Sequence, residues 1–382
     1  MEYRKLGRTG IDVSIIGLGA EYLEYAPKDT VVSVVNEAVD NGVNYIDLFM
    51  ASPNVRDNFG IALKDRRHKV MVAGHLGAVL INDQYSKTRD NALAESYVND
   101  LLTRLQTDYI DVLMLHFVDE PDDYESVFGP KGLLELALSL KKEGKARFIG
   151  LSGHYVPTAL KAVNSGKIDV LLFPVNAAFD ILPADMDMDT MRQDNSYNEV
   201  ETTDDTSILQ RRELYHACVI QDVGLVAMKI YAAGRLFVKD NPSNILLTPV
   251  QCINYVLSQP GVCTVVPGCK NVPEMKAALA FLDATDKEKD YSSIDINSVW
   301  KLAGSCMYCN HCLPCPVSID IGMVSRITDT AKYGMTESVL SEYEALLAKA
   351  SDCTECGVCA ERCPFKVDVI TNMMQAVDIF GK

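Results

Sequence analysis

At 382 residues the chain exceeds one ordinary domain, although a single α/β barrel can fill about 250 residues, so one large domain plus a small one is the starting expectation. A formal charge of −16 argues against nucleic acid, which needs a basic face; it suits a small-molecule substrate or docking to a basic patch on a redox protein partner. The apolar runs are too short to span a bilayer and MEYRKLGRTG lacks the apolar core of a secretion signal, which predicts a cytoplasmic protein with no membrane partner.

Residues 1 to about 285 alternate short β-branched apolar runs with amphipathic segments of helical period. The runs are VSIIGLG, NYIDLF, KVMVAGH, YIDVLMLHF, RFIGLS, VLLFPVN, VGLVAMKI and CTVVPG. Segments such as VVSVVNEAVDNG, ALAESYVNDLLTRL, GLLELALSLKKEG and SILQRRELYHAC read as helices between them. Strand and helix pairs in that order predict a (β/α)8 TIM barrel, whose chemistry sits at the carboxyl ends of the strands. Asp47, His75, His116, Ser152, Asn176 and Lys229 all fall at such ends. Arg56 and Arg89 flank the expected mouth and read as solvated side chains, and the acidic loop 184–205 reads as a solvated lid because it lacks the glycine and terminal glutamate of a calcium loop. A polar linker, 286–299, leads into a small α-rich ferredoxin-like domain over 300–382.

Twelve cysteines in a chain without a secretion signal are not expected to form disulfides. Cys218, Cys252, Cys263 and Cys269 stand among apolar residues and read as small buried hydrophobes. The other eight form two runs: CMYCNHCLPCP with Cys306, Cys309, Cys312 and Cys315, and CTECGVCAERCP with Cys353, Cys356, Cys359 and Cys363. The second run has the C-x2-C-x2-C-x3-C-P spacing in which three thiolates wrap one iron–sulfur cube and the fourth reaches another. The first run is one residue shorter before its last cysteine, and CPVSIDI after it repeats as CPFKVDV after the second. This duplication predicts two [4Fe-4S] clusters, one held by Cys306, Cys309, Cys312 and Cys363, the other by Cys353, Cys356, Cys359 and Cys315, as in the dicluster ferredoxins that the tail resembles. Two short helices are expected to cover them over 323–349, with His311 outside the ligand set.

The segments YRKLGRTGIDVSIIGLG, LLTRLQTDYIDVLMLH, GKARFIGLSGH and PGVCTVVPGCKNVPEM resemble the aldo-keto reductase superfamily, and with the cysteine tail its iron–sulfur branch. The resemblance implies a catalytic aspartate, a proton-donating tyrosine five residues on, a lysine ending the third strand and a histidine ending the fourth. Asp47 and His116 match, but Ser52 stands for the tyrosine and His75 for the lysine. An aliphatic hydroxyl is a far weaker acid than a phenol of pKa about 10, so Asp47, His75 and His116 are the expected acid–base residues. For a nicotinamide cofactor the resemblance leaves Ser152, Asn176, Gly234, Gly268 and Lys270. Gly153, Leu172, Met228 and Met275 replace groups that usually hold it, which predicts weak NADP(H) binding.

Two readings follow. In one the barrel is an oxidoreductase that moves electrons through the clusters to or from a small molecule at its mouth. In the other it is a lyase, an isomerase or a degenerate barrel beside an electron-transfer module.

Overall fold

The computed structural model describes residues 1–191, 193, 210–241, 243–292, 294 and 304–381. The chain divides into two compact units. The first comprises 1–175, 222–230 and 262–283; the second comprises 176–221, 231–261 and 284–382.

The first unit holds twelve strands: β1 (Tyr3–Lys5), β2 (Asp12–Ser14), β3 (Leu18–Gly19), β4 (Tyr45–Leu48), β5 (Met71–Leu76), β6 (Ala78–Ile81), β7 (Gln84–Lys87), β8 (Ile110–Leu115), β9 (Ala146–Ser152), β10 (Val170–Pro174), β11 (Gly224–Met228) and β12 (Val262–Val265). Eight of them form one parallel sheet in the order β12-β11-β10-β9-β8-β5-β4-β3. Bridges from Ile16 to Val265 and from Gly19 to Gly268 join its two edges, so the sheet closes on itself. All eight expected apolar runs contribute a strand to it.

Two hairpins had no counterpart in the sequence reading. The β1–β2 pair sends Leu6 and Val13 into the barrel's hydrophobic core. The β6–β7 pair follows the third barrel strand and turns through Asn82 and Asp83, both at positive φ (52° and 61°). Two central residues with φ > 0 are what a tight two-residue hairpin demands, and asparagine and aspartate are among the side chains that tolerate it.

Alternation along the strands sets the site. On β4 the core takes Tyr45, on β5 Met71 and Ala73, and on β8 Val112 and Met114. The next inward positions, two residues further along each strand, are Asp47, His75 and His116. Pairing of Asp47 with Ala73 and of His75 with Met114 holds these strands in register, so the three side chains share the uppermost interior layer. Beneath it, Gly150 on β9 makes room for Met114, whose sulfur would lie 2.3 Å from any Cβ at that position.

The second unit is helical where described. Helix Ile321–Tyr333 packs on Val369–Phe380 and on Arg212–Ile220, and Tyr343 stacks on Phe380 at 3.9 Å. Ile321–Tyr333 and Glu337–Glu344 are the two helices expected between the cysteine runs. Asp180 is fully buried and accepts from the hydroxyls of Tyr215 (2.6 Å) and Tyr255 (2.7 Å). Residues 192 and 194–205 of the expected lid, and 293 and 295–299 of the linker, lie outside the described residues. Among the described residues no helix is long and apolar enough to cross a membrane.

Candidate active site and cluster-binding cysteines

Asp47, His75 and His116 form one hydrogen-bonded row. Asp47 Oδ1 lies 2.9 Å from His75 Nε2, and His75 Nδ1 lies 2.8 Å from His116 Nδ1. All three are buried. Burial, reinforced by His75, Arg89, His154 and Lys87, holds His116 well below the usual histidine range and therefore neutral. If His75 Nε2–H donates to Asp47, the neutral His116 ring must donate its Nδ1–H to His75 Nδ1. His116 Nε2 is then an acceptor, and the Tyr85 hydroxyl fills it at 2.5 Å.

Ser152 ends β9 beside this row, accepting from the Phe117 amide (3.0 Å) with its oxygen 3.5 Å from His75 Nδ1. Phe49 stacks on the His116 ring (5.8 Å) and meets His75 edge-on (5.9 Å). Ser52 is the residue before helix Pro53–Leu63 and makes no hydrogen bond to the row. His154 is buried nearby, its Nδ1 2.9 Å from Asp119 Oδ2 and its ring 4.9 Å from Phe117.

Neither flanking arginine is solvated. Arg56 is 1% exposed and donates to the Met50 and Tyr97 carbonyls and to Asp100. Arg89 donates to the carbonyls of His116 (3.0 Å) and Phe117 (2.9 Å) and to Asp123. Both brace the loops after the strands, a role their position between polar segments did not reveal.

The positions assigned to a nicotinamide cofactor fare differently. The Lys270 amide, where a phosphate would seek a donor, already donates to the Glu274 carboxylate at 2.8 Å. Its ammonium lies 5.0 Å over the Tyr22 ring, and that ring covers Gly268 so closely that a Cβ there would stand 2.5 Å from it. Met275 and Leu172 are buried. At Gly153 a Cβ would meet the Val118 carbonyl at 2.8 Å, so no amide side chain can replace it. The Glu274 carboxylate thus takes the Lys270 amide, and the Tyr22 ring lies over Gly268. Asn176 and Gly234 belong to the second unit, where Asn176 caps a short helix by accepting from the Phe179 amide.

In that unit the eight run cysteines are free thiols at the surface or half-buried, whereas Cys218, Cys252, Cys263 and Cys269 are buried. Cys315, Cys353, Cys356 and Cys359 line one pocket, together with Ile321 and Met373. Burial, then the neighbouring thiols Cys306, Cys309 and Cys363, push Cys312 up to about 12. One cysteine of the first run thus lies with three of the second around a single space, and the chemistry of four thiols there fits an iron–sulfur cluster. Arg212 steadies the first run, donating to the Cys306 carbonyl (2.7 Å) with its guanidinium 4.5 Å over Tyr308. Tyr291 donates to the Met307 carbonyl (2.8 Å), and His311 turns aside to Asp290 and Ser292.

Two family models match the chain. The aldo/keto reductase family model matches residues 15–248, and the 4Fe-4S dicluster domain model matches 295–368. An uncharacterized oxidoreductase of Bacillus subtilis is 32% identical over 156 residues, 40% of this chain and 49% of that one. L-galactose dehydrogenase of Arabidopsis thaliana is 31% identical over 201 residues, 48% of this chain and 61% of that one. The matches thus span about half the length of the first relative and three fifths of the second. Among solved structures, an aldo-keto reductase of Bacillus halodurans superposes with a TM-score of 0.57 at 21% identity, covering 76% of this chain and 95% of that one.

Proposed function

The chain belongs to the aldo/keto reductase family and carries a 4Fe-4S dicluster domain, and from that premise we propose that it is an oxidoreductase acting on a small carbonyl or hydroxyl compound at the barrel mouth, with Asp47, His75 and His116 handling the proton. The observation that carries this reading is the unbroken row from Asp47 through His75 to His116, which replaces the family's missing tyrosine and lysine with groups able to hold and release a proton. Cys306, Cys309, Cys312 and Cys363 would hold one cluster, and Cys353, Cys356, Cys359 and Cys315 the other. When bound, such clusters supply one-electron transfer to or from a partner. The loaded tail is therefore proposed as the electron route, with NADP(H) binding weakly because Glu274 and Tyr22 occupy its place.

Anaerobic assays of cluster-loaded protein test the proposal. L-galactose with oxidised benzyl viologen, and methylglyoxal with reduced methyl viologen, are suitable probes because relatives are named for those compounds. Dye-linked turnover that His75→Ala and His116→Ala each lower by about 10²- to 10⁴-fold is expected. Turnover of equal rate with NADPH and no clusters would overturn the electron route.

A further inference from the structure

Tyr85, which no sequence motif marks, ends the row of groups at the barrel mouth. It sits on β7, in the hairpin that leaves the third barrel strand directly after Leu76. The hairpin is fastened on several sides. Tyr97 donates to the Leu80 carbonyl at 2.9 Å, Lys87 pairs with Asp123, and the Thr88 amide donates to the Gly77 carbonyl at 2.9 Å. Phe49 meets the Tyr85 ring edge-on at 5.9 Å while it stacks on His116, so the phenol is held at a fixed angle to the imidazole. Tyr85 is 46% exposed, whereas Asp47, His75 and His116 are 6%, 3% and 4% exposed. The phenol is the outer end of the row and the carboxylate its inner end.

We propose that Tyr85 is the residue that exchanges a proton with the substrate's oxygen, filling the part that Ser52 leaves vacant, and that the row behind it is set to draw that proton inward from a hydroxyl compound. The inference rests on the oxidoreductase reading above. With His75 Nε2–H on Asp47, every hydrogen in the row points toward the carboxylate: Tyr85 Oη–H to His116 Nε2, His116 Nδ1–H to His75 Nδ1, and His75 Nε2–H to Asp47 Oδ1. When the substrate's O–H bond breaks, its proton passes to Tyr85 Oη as the phenol's own moves to His116 Nε2. The Nδ1 proton of His116 goes to His75 Nδ1, and the Nε2 proton of His75 goes to Asp47. The substrate keeps the electron pair as an alkoxide, one proton ends on Asp47, and no electron changes hands in this step. Burial pushes Tyr85 up to about 12 against the opposing pull of Arg89, with Glu21 and Asp119 adding to the rise. At neutral pH the phenol therefore keeps its proton and can donate to His116 Nε2.

The test uses full-length, cluster-loaded wild type, Tyr85→Phe and His116→Ala with L-galactose and oxidised benzyl viologen, together with 15N spectra of histidine-labelled protein. Tyr85→Phe is expected to lower turnover by about 10²- to 10⁴-fold, the usual worth of a positioned acid or base, and to shift the Nε2 resonance of one histidine, with the visible spectrum and circular dichroism unchanged. If Tyr85→Phe turns over like wild type while His116→Ala is crippled, His116 meets the substrate itself: the oxidoreductase reading stands and Tyr85 loses its role. If both variants match wild type, the reading beneath fails. Should the probe not turn over at all, the spectra decide, because an Nε2 resonance unmoved by Tyr85→Phe means that the phenol is not bonded to His116 in solution.

Discussion

His75 is bonded on both sides, to Asp47 through Nε2 and to His116 through Nδ1, so removing its ring cuts the row in the middle. His75→Ala or His116→Ala should lower turnover by about 10² to 10⁴, whereas Ser52→Ala, which severs no bond to the row, should stay near wild type in the same steady-state assay. A crippled Ser52→Ala enzyme beside fully active histidine variants would reverse the assignment. A different histidine reports on stability. His216 is buried, bonded to Thr330 Oγ1 at 2.9 Å and stacked on Tyr333, and burial pushes it down to about 3, against the upward pull of Asp329. An unfolded histidine titrates near ~6.5. Between those values the unfolded chain binds a proton that the folded one refuses, so this contribution is complete above about pH 6.5 and drains as pH falls toward about 3, at no more than ~1.4 kcal/mol per pH unit. Denaturation midpoints of wild type and His216→Gln measured across that window should converge toward acid pH, and parallel curves would show that His216 does not carry the effect.

At the scale of elements, helix Pro53–Leu63 lies almost in contact with helix Asn91–Leu105. A Cβ at Gly60 would stand 2.1 Å from the Arg104 carbonyl, and backbone cannot swing aside as a side chain can. Gly60→Ala should therefore cost about 1–3 kcal/mol, the usual range for overpacking, read as a lower denaturant midpoint; an unchanged midpoint would mean that the two helices part freely. The same scale explains what the sequence revealed. The barrel strands were legible because each is a short apolar run between helical periods, and Asp47, His75 and His116 because each is the polar residue that ends such a run. Tyr85 was not: its partner His116 lies 31 residues away, and the one local signal, Asn82–Asp83 between alternating residues, is too short to announce a hairpin. The surroundings of the cofactor positions were illegible for a related reason. That Glu274 meets the Lys270 amide and Tyr22 lies over Gly268 is a matter of side-chain packing, which the chain order does not show.

For the molecule as a whole, the two cysteine runs predict roughly eight irons and eight sulfides per chain and a broad visible absorption that bleaches with dithionite. Stoichiometric zinc without labile sulfide would contradict it. Cys356→Ala should remove about half the iron and destabilise the tail, because metal binding supplies much of a small metal domain's folding free energy; melting followed by iron analysis reads both effects. NADPH should bind with a Kd above ~10 μM, about −7 kcal/mol or weaker, and submicromolar affinity by calorimetry would show that Glu274 and Tyr22 move aside. The cavity lined by Cys315 together with Cys353, Cys356 and Cys359 also sets a timetable. Its fourth wall comes from the run that leaves the ribosome first, and the other three from residues made about forty positions later, so the early run cannot finish its own site while the chain is still growing. Iron delivery to this cavity must wait until both runs have been synthesised, and a chain halted between them would display unclaimed thiols to whatever oxidant or stray metal reached it first.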